Sequence, residues 1–249
     1  MKPTFHFLTL FPEVISPWLR TSIVGKAYDQ GLFDFKVHQL RDFSDPPHYR
    51  VDDQAYGGGG GMVLKIEPLV RGIEAIRAEY PQTQFKICAF VPAGKPLTQK
   101  YLAQLSTEAN FEGICHWILV CGHYEGIDER FLHGFVHERI CVGDVVVTGG
   151  ELPALFFADA MIRHIEGALG HPDGCKHESF LIESHGHEAL LEYPHYTRPA
   201  EFRDFTVPKV LLSGDHRAIS EWRGAQAFEV TKSYRPKALG LEMGRESVD

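Results

Sequence analysis

The chain has 249 residues, of which 44% are hydrophobic and 23% charged, with a formal net charge of −8. This balance excludes wholesale disorder. The acidic sign argues against a protein that coats nucleic acid by general phosphate neutralisation, while leaving room for a local basic site.

The length fits one large domain, or a medium domain with a smaller companion. The opening "MKPTFHFLTLFPE" is interrupted by Pro12 and Glu13 before an apolar stretch reaches the length of a signal peptide. No apolar run approaches the roughly 20 residues of a membrane span. Five cysteines, an odd number without a CxxC, give no disulfide framework. Cys88, Cys121 and Cys141 lie in or beside apolar runs and read as buried reduced thiols. A cytoplasmic protein with no membrane partner is expected.

In chain order, "FHFLTLF" reads as a strand. "PEVISPWLRTSIVGKAYDQG" reads as helical, broken at Pro17 and stopped by Gly31. "FDFKVHQL" alternates like a strand. After a run of five glycines, "IEPLVRGIEAIRAEY" sets Ile66, Leu69, Val70, Ile73 and Ile76 on one helical face. "FKICAFV", "HWILVCG" and "HERICVGDVVV" read as strands. "LTQKYLAQLS" and "GIDERFLHGF" read as helices, and "PALFFADAMIRHI" as a long amphipathic helix. Strands alternating with helices imply an α/β fold, a mainly parallel sheet with helices on both faces.

The pattern changes after Gly167. The expected organisation is a first domain over 1–166, a loose connection over 167–194, and a small, mostly helical C-terminal domain over 195–249. In that last region "VPKVLLSGDHRAISEWRGAQAFEVTKSY" suggests an extended entry followed by short helices.

Ligands of such sheets bind where strands end at their carboxyl side. Three loops fit: "VPAGKP", "CGHYEGIDER" and "VGDVVVTGGELP". In the second, Gly122 and Gly126 bracket His123, Tyr124 and Glu125, either as a ligand-holding loop or as a tight turn opening a helix. In the third, the amides of Gly149 and Gly150 could face an anionic group, with Glu151 suiting the helix dipole. "DDQAYGGGGGMVLK" is not a P-loop, since no GK[ST] follows. It reads equally as a structural turn and as a loop that brings backbone close to a ligand. Cys175, His177, His185, His187 and His195 are zinc-ligand types without a standard spacing, so solvated loop histidines are the default. No metal ligand is assigned.

"LFPE", "VDDQAYGGGGGM", "CGHYEGIDER", "GDVVVTGGELPA", "ESF", "PHYTRP" and "VLLSGDH" occur in this order. Together they resemble the bacterial tRNA (guanine-N1)-methyltransferases, from Phe5 to about Arg223. The resemblance implies a trefoil-knotted SPOUT domain and a homodimer with its active site at the subunit interface. It implies S-adenosyl-L-methionine as methyl donor, Mg²⁺ in the reaction, and tRNA as partner. The guanosine immediately 3′ of the anticodon would be methylated at N1. By resemblance, the cofactor site comprises Phe90, Val91, Pro92, Gly94, Gly122, Tyr124, Glu125, Val142, Gly143, Asp144, Val145, Val146, Val147, Gly149, Gly150 and Pro153. Arg163 and Glu178 fall on the catalytic positions, and Asp52, Gly61, Glu192, His195, Tyr196 and Arg198 on the substrate side.

There are departures. Glu178 and Glu192 stand where the family motifs carry aspartates, and His123 where they carry arginine. Gly60 replaces a common proline, and extra residues surround "ESHGHEA". Alternatives are a related SPOUT methyltransferase with another RNA target, an inactive RNA-binding protein, and a metalloprotein. Lys209, Arg217, Arg223 and Arg198 are candidates for phosphate contacts, or ordinary solvated charge.

Overall fold

A computed structural model describes residues 2–170, 178–184 and 187–241. The chain divides into two compact units, Met1–Pro172 and Asp173–Asp249.

The first unit begins with β1 (Thr4–Thr9), which packs Phe5 and Phe7 on one face and Leu8 on the other. Helices α1 (Ile15–Leu19) and α2 (Ser22–Asp29) follow. The break expected at Pro17 falls instead after Leu19. Pro17 lies in the first turn of α1, where a missing N–H removes no helical bond. Gly31 then turns the chain at φ 72° into β2 (Asp34–Gln39).

Next come β3 (Asp52–Gln54) and β4 (Met62–Leu64), which pair antiparallel, Asp52 opposite Leu64 and Gln54 opposite Met62. The glycine run is therefore the tip of a hairpin. Helix α3 (Ile66–Glu79) buries Leu69, Ile73 and Ile76, as its spacing predicts. After β5 (Phe85–Pro96), α4 (Gln99–Glu112) starts where Thr98 Oγ1 accepts from the Tyr101 N–H at 3.1 Å, and stops at left-handed Gly113. Strand β6 (His116–Val120), α5 (Glu129–Gly134), β7 (Glu138–Cys141) and α6 (Glu151–Ile162) complete the unit.

The sheet order is β2-β1-β6-β5-β7, with every pairing parallel. One face packs Phe7, Trp117 and Leu119 against Leu19, Leu105 and Phe157; the other packs Leu8, Ile118 and Val120 with Leu69, Ile73 and Phe131. Helices thus cover both faces of an α/β sheet, as the alternation predicts. Cys88 and Cys121 are fully buried, and burial pushes both thiols up. Cys141 is only partly buried, contrary to expectation, because it ends β7 where the sheet opens.

Helix α6 differs from its expected amphipathic form. It buries Ala154, Phe157, Ala158 and Met161, yet Leu152 and Phe156 on the outside are 63% and 58% exposed. A helix apolar all round is one that needs cover on more than one side.

In the second unit, β8 (Ile182–Ser184) and β9 (His187–Leu190) pair antiparallel within the region expected as a loose connection. A second hairpin, β10 (Glu201–Phe202) with β11 (Phe205–Thr206), leads to α7 (His216–Tyr234). Where short helices were expected, α7 is one helix of 19 residues. Asp215 caps it by accepting from the Arg217 and Ala218 amides, and Gly224 lies inside without ending it. Leu190, Ala227 and Thr231 form its buried seam, and the Leu191 N–H donates to Thr231 Oγ1 at 2.8 Å. Among the described residues, no helix is long and apolar enough to cross a membrane.

Three strands of the first unit meet at a histidine cluster that the sequence reading did not single out. His6 is fully buried; its Nδ1 lies 3.1 Å from His38 Nε2 and its Nε2 2.8 Å from His116 Nδ1. Tyr80 packs edge-on to His6, and Lys36, paired with Glu79 at 3.1 Å, lies over the Tyr80 ring. Burial first, then the charges of His38, His116 and Lys36, lower His6 from 6.5 to about 3. Folding therefore favours neutral His6. Its contribution is complete above the unfolded value of 6.5 and is lost as pH falls toward about 3. Between about pH 7 and pH 5 the loss is roughly 2 kcal/mol. Thermal melts across that range should show a falling midpoint for the wild type and a flatter dependence for His6→Gln; equal slopes would remove His6 as the source.

Candidate active site

Strands β6, β5 and β7 are neighbours, and the segments at their carboxyl ends converge. Between Phe90 and Lys95 the register of β5 on β7 shifts, so residues 91–94 bulge out of the ladder. With the segments after β6 and β7 they line a cleft of about 210 Å³. The structure brings together Phe90, Val91, Pro92, Gly122, Tyr124, Glu125, Val142, Gly143, Val145, Val146, Val147, Gly149, Gly150 and Pro153.

Gly94 and Asp144 are not in this lining. Gly94 faces β7, where a Cβ would stand 2.5 Å from the Ile140 carbonyl carbon. The lining also includes His123, Gly126, Ile127, Ile140, Cys141 and Thr148, outside the set implied by resemblance. Ile140 and Cys141 end β7, so the strand-end rule alone could have found them.

Close approach explains the glycines of the third loop. The Gly150 N–H donates to the Gly122 carbonyl at 2.7 Å. A Cβ on Gly150 would stand 2.4 Å from Gly122 N, and one on Gly149 would stand 2.3 Å from His123 Cε1. The Gly150 amide, expected to face an anion, is thus taken by the neighbouring loop. Glu151 is 6% exposed; it accepts from Thr9 Oγ1 at 2.5 Å and pairs with His123 Nε2 at 2.7 Å. This carboxylate is a buried pin between β1 and the cleft wall.

The glycine hairpin docks on the same wall. The Glu125 N–H donates to the Met62 carbonyl at 2.9 Å, and the Leu64 N–H to the Gly126 carbonyl at 2.9 Å. Gly61 has φ 92°, and a Cβ there would stand 2.4 Å from Glu125 Cγ. Gly57, Gly58 and Gly59 also have positive φ, but Gly60 does not. Asp52 meets the Tyr124 hydroxyl: burial first, then the charge and hydrogen bond of Asp52, raise that phenol, with Arg41 opposing. Asp52 and Gly61 therefore stand at the rim of the cleft, beside Tyr124 and Glu125.

Arg163 ends α6 and is not in this lining. It lines a surface cavity of about 570 Å³ with Trp18, Leu152 and Phe156. Its charge and the Trp18 indole oppose the burial that raises Asp159.

Glu178 belongs to the second unit, where its carbonyl accepts from the Leu181 N–H at 3.0 Å. Its neighbour Ser179 accepts from the Glu192 N–H at 3.0 Å, and His195 Nε2 lies 3.4 Å from Glu192 Oε1. The "ESF" and "EYPHYTRP" segments are thus joined within one unit. His195, Tyr196 and Arg198 line a cavity there of about 420 Å³. Of the other cations, Arg217 pairs with Glu221 at 3.0 Å and Arg223 lies over the Tyr193 ring. Among the described residues, no group of three or more His, Cys, Asp or Glu could hold a metal. Cys175, His177 and His185 lie outside the described residues.

Two glycines of the third loop should behave oppositely. Gly150→Ala should destabilise by about 1–3 kcal/mol through overpacking. Gly143→Ala, with nothing within 4 Å of its Cβ position, should stay within about 0.5 kcal/mol. Urea unfolding of both variants checks the contrast; equal effects would refute close approach as the reason for Gly150.

A model of the family described as tRNA (Guanine-1)-methyltransferase TrmD matches residues 3–240. Relatives named tRNA (guanine-N(1)-)-methyltransferase include one from Geobacter metallireducens, 43% identical over 94% of this chain and 90% of its own length. Another, from Brevibacillus brevis, is 46% identical over 93% of this chain and 89% of its own. With its parallel sheet, strand-end cleft and docked glycine hairpin, the chain belongs to the tRNA (guanine-N1)-methyltransferase family of the SPOUT superfamily.

Proposed function

We propose that this enzyme methylates N1 of the guanosine immediately 3′ of the anticodon in tRNA, using S-adenosyl-L-methionine, as a cytoplasmic homodimer. The observation that carries this reading is the docking of the Asp52–Gly61 hairpin on the glycine-walled cleft. A carboxylate able to read a purine edge stands at the mouth of a cleft suited to a nucleoside. Gly122, Gly149 and Gly150 offer backbone, and Pro92, Val142 and Val147 offer apolar surface. These features fit a flat purine with an aliphatic chain.

When bound, S-adenosyl-L-methionine supplies a methyl group on a sulfonium, already a good leaving group. The remaining demand falls on the protein. Guanine N1 carries a proton at neutral pH, so a base must remove it. Glu178 takes this role in the proposal. A free glutamate, with a pKa of about 4.3, is too weak alone. A guanidinium beside O6 would stabilise the anionic base, the role proposed for Arg163. Glu192, His195, Tyr196 and Arg198 would hold the substrate.

The homodimer is supported by α6. Arg163 lines a surface cavity with exposed Leu152 and Phe156 rather than the cleft of its own chain. A second copy seated on that face would cover the apolar surface and carry Arg163 toward the partner's cleft. Sedimentation should give a dimer, and Phe156→Glu a monomer with methylation lost; an active Phe156→Glu monomer would refute the shared site.

Incubation with unmodified tRNA and labelled methyl donor, followed by nucleoside mapping, tests the reaction, and chelation tests Mg²⁺ dependence. Glu178→Gln should retain affinity for the methyl donor and lose about 10²–10⁴ in rate. Near-normal turnover in that variant would remove Glu178 from the role of base.

A further inference from the structure

The cavity of the second unit holds Tyr196 and Arg198, placed above on the substrate side, together with Tyr193, Trp222 and Arg223, which the methyl-transfer reading leaves unused. Trp222 and Tyr196 meet at a corner, ring centroids 6.3 Å apart and planes 55° to each other. Tyr193 stands under the Arg223 guanidinium at 4.8 Å. Arg198 and Arg223 line the cavity, with no acidic side chain among the described residues of the lining. That is unusual in a chain of net charge −8. His195, also in the lining, lies 3.4 Å from Glu192, which is outside the lining. The volume, about 420 Å³, lies within the roughly 300–1,000 Å³ of small-ligand sites.

The rim adds a second observation. Ala200 and Val207 line the cavity and close the base of the β10–β11 hairpin, with the Val207 N–H donating to the Ala200 carbonyl at 2.9 Å. That hairpin carries Phe202 and Phe205, 58% and 77% exposed, with Arg203 over the Phe202 ring. Exposed rings interleaved with arginines form a stacking platform for single-stranded nucleic acid, because every base has a π-face and every linkage a phosphate. A paired base keeps its faces inside the duplex and could not use such a corner.

We propose that this cavity is a subsite for one unpaired nucleobase of single-stranded RNA, stacked on the Trp222–Tyr196 corner. Arg198 and Arg223 take the flanking phosphates, and Phe202 and Phe205 extend the platform to the next base. The proposal rests on the tRNA reading above and deepens it: the second unit grips a looped, unstacked strand at a base separate from the methylated one.

The test uses the full chain and a nine-nucleotide single-stranded RNA, free and annealed to its complement. The wild type should prefer the single strand. Trp222→Leu should weaken it about tenfold, and Trp222→Phe, which keeps a ring, less than about threefold. Arg223→Gln should flatten the log–log salt dependence by about 0.7, the share of one phosphate. Donor affinity and the thermal midpoint should not change in Trp222→Phe or Arg223→Gln, so these decide the matter even if Trp222→Leu folds poorly. Equal binding of the duplex, or wild-type binding and salt dependence in every variant, would overturn the proposal.

Methylation of tRNA by the wild type separates the two readings. If the wild type methylates tRNA and Trp222→Leu leaves both KM for tRNA and single-strand affinity unchanged, the subsite fails alone. If the wild type methylates nothing yet the variants lose single-strand affinity, the methylation reading fails and the subsite stands.

Discussion

The site depends on one contact that has no room for a methyl group. Gly150 lies against Gly122, its amide on the Gly122 carbonyl, with less than van der Waals space for a Cβ. That contact fixes the loop after β7 against the loop after β6. Glu151, next in sequence, then reaches back to Thr9 and His123 and ties the same loop to β1. The glycine hairpin in turn hangs on residues 125–128 by backbone bonds. Three loops from separate strands thus become one wall, held by backbone contacts that tolerate few changes of side chain.

The sheet was legible because its strands are short apolar runs bounded by turn residues, as in "FHFLTLF" and "HWILVCG". Helix α3 was legible from the spacing of Leu69, Ile73 and Ile76. Pro17 misled because proline marks a break only beyond the first turn. Helix α6 misled because a segment apolar all round shows no empty face, whatever its period. The strands β3 and β4, three residues each, are too short to show alternation, so the glycines read equally as a structural turn and as a ligand loop. Short helices were expected where α7 is continuous, because the Asp215 cap and the buried Ala227–Thr231 seam hold one long helix that spans Gly224.

The cleft was legible mainly through resemblance, since loops carry no periodicity. The carboxyl ends of the strands mark its place in the sequence, and the three loops that follow them contribute to the lining. What no sequence pattern carried was the pairing of His123 with Glu151, which are 28 positions apart and meet only because β6 and α6 converge. His123 thereby sets a ring nitrogen 2.7 Å from that carboxylate, across a gap no local spacing announces. Ser179 likewise meets Glu192 twice, accepting from its N–H at 3.0 Å and lying 3.4 Å from its Oε2, although the two are 13 positions apart.

The histidine cluster under the sheet has an orientation as well as a charge. A neutral imidazole offers one donor and one acceptor. His6 uses both nitrogens, one toward His38 and one toward His116. If His38 donates, His6 must carry its proton on Nε2 and donate onward to His116; if His116 donates, the order reverses throughout. The three rings therefore hold two tautomeric arrangements of opposite polarity, and choosing the proton position on any one of them chooses it for all.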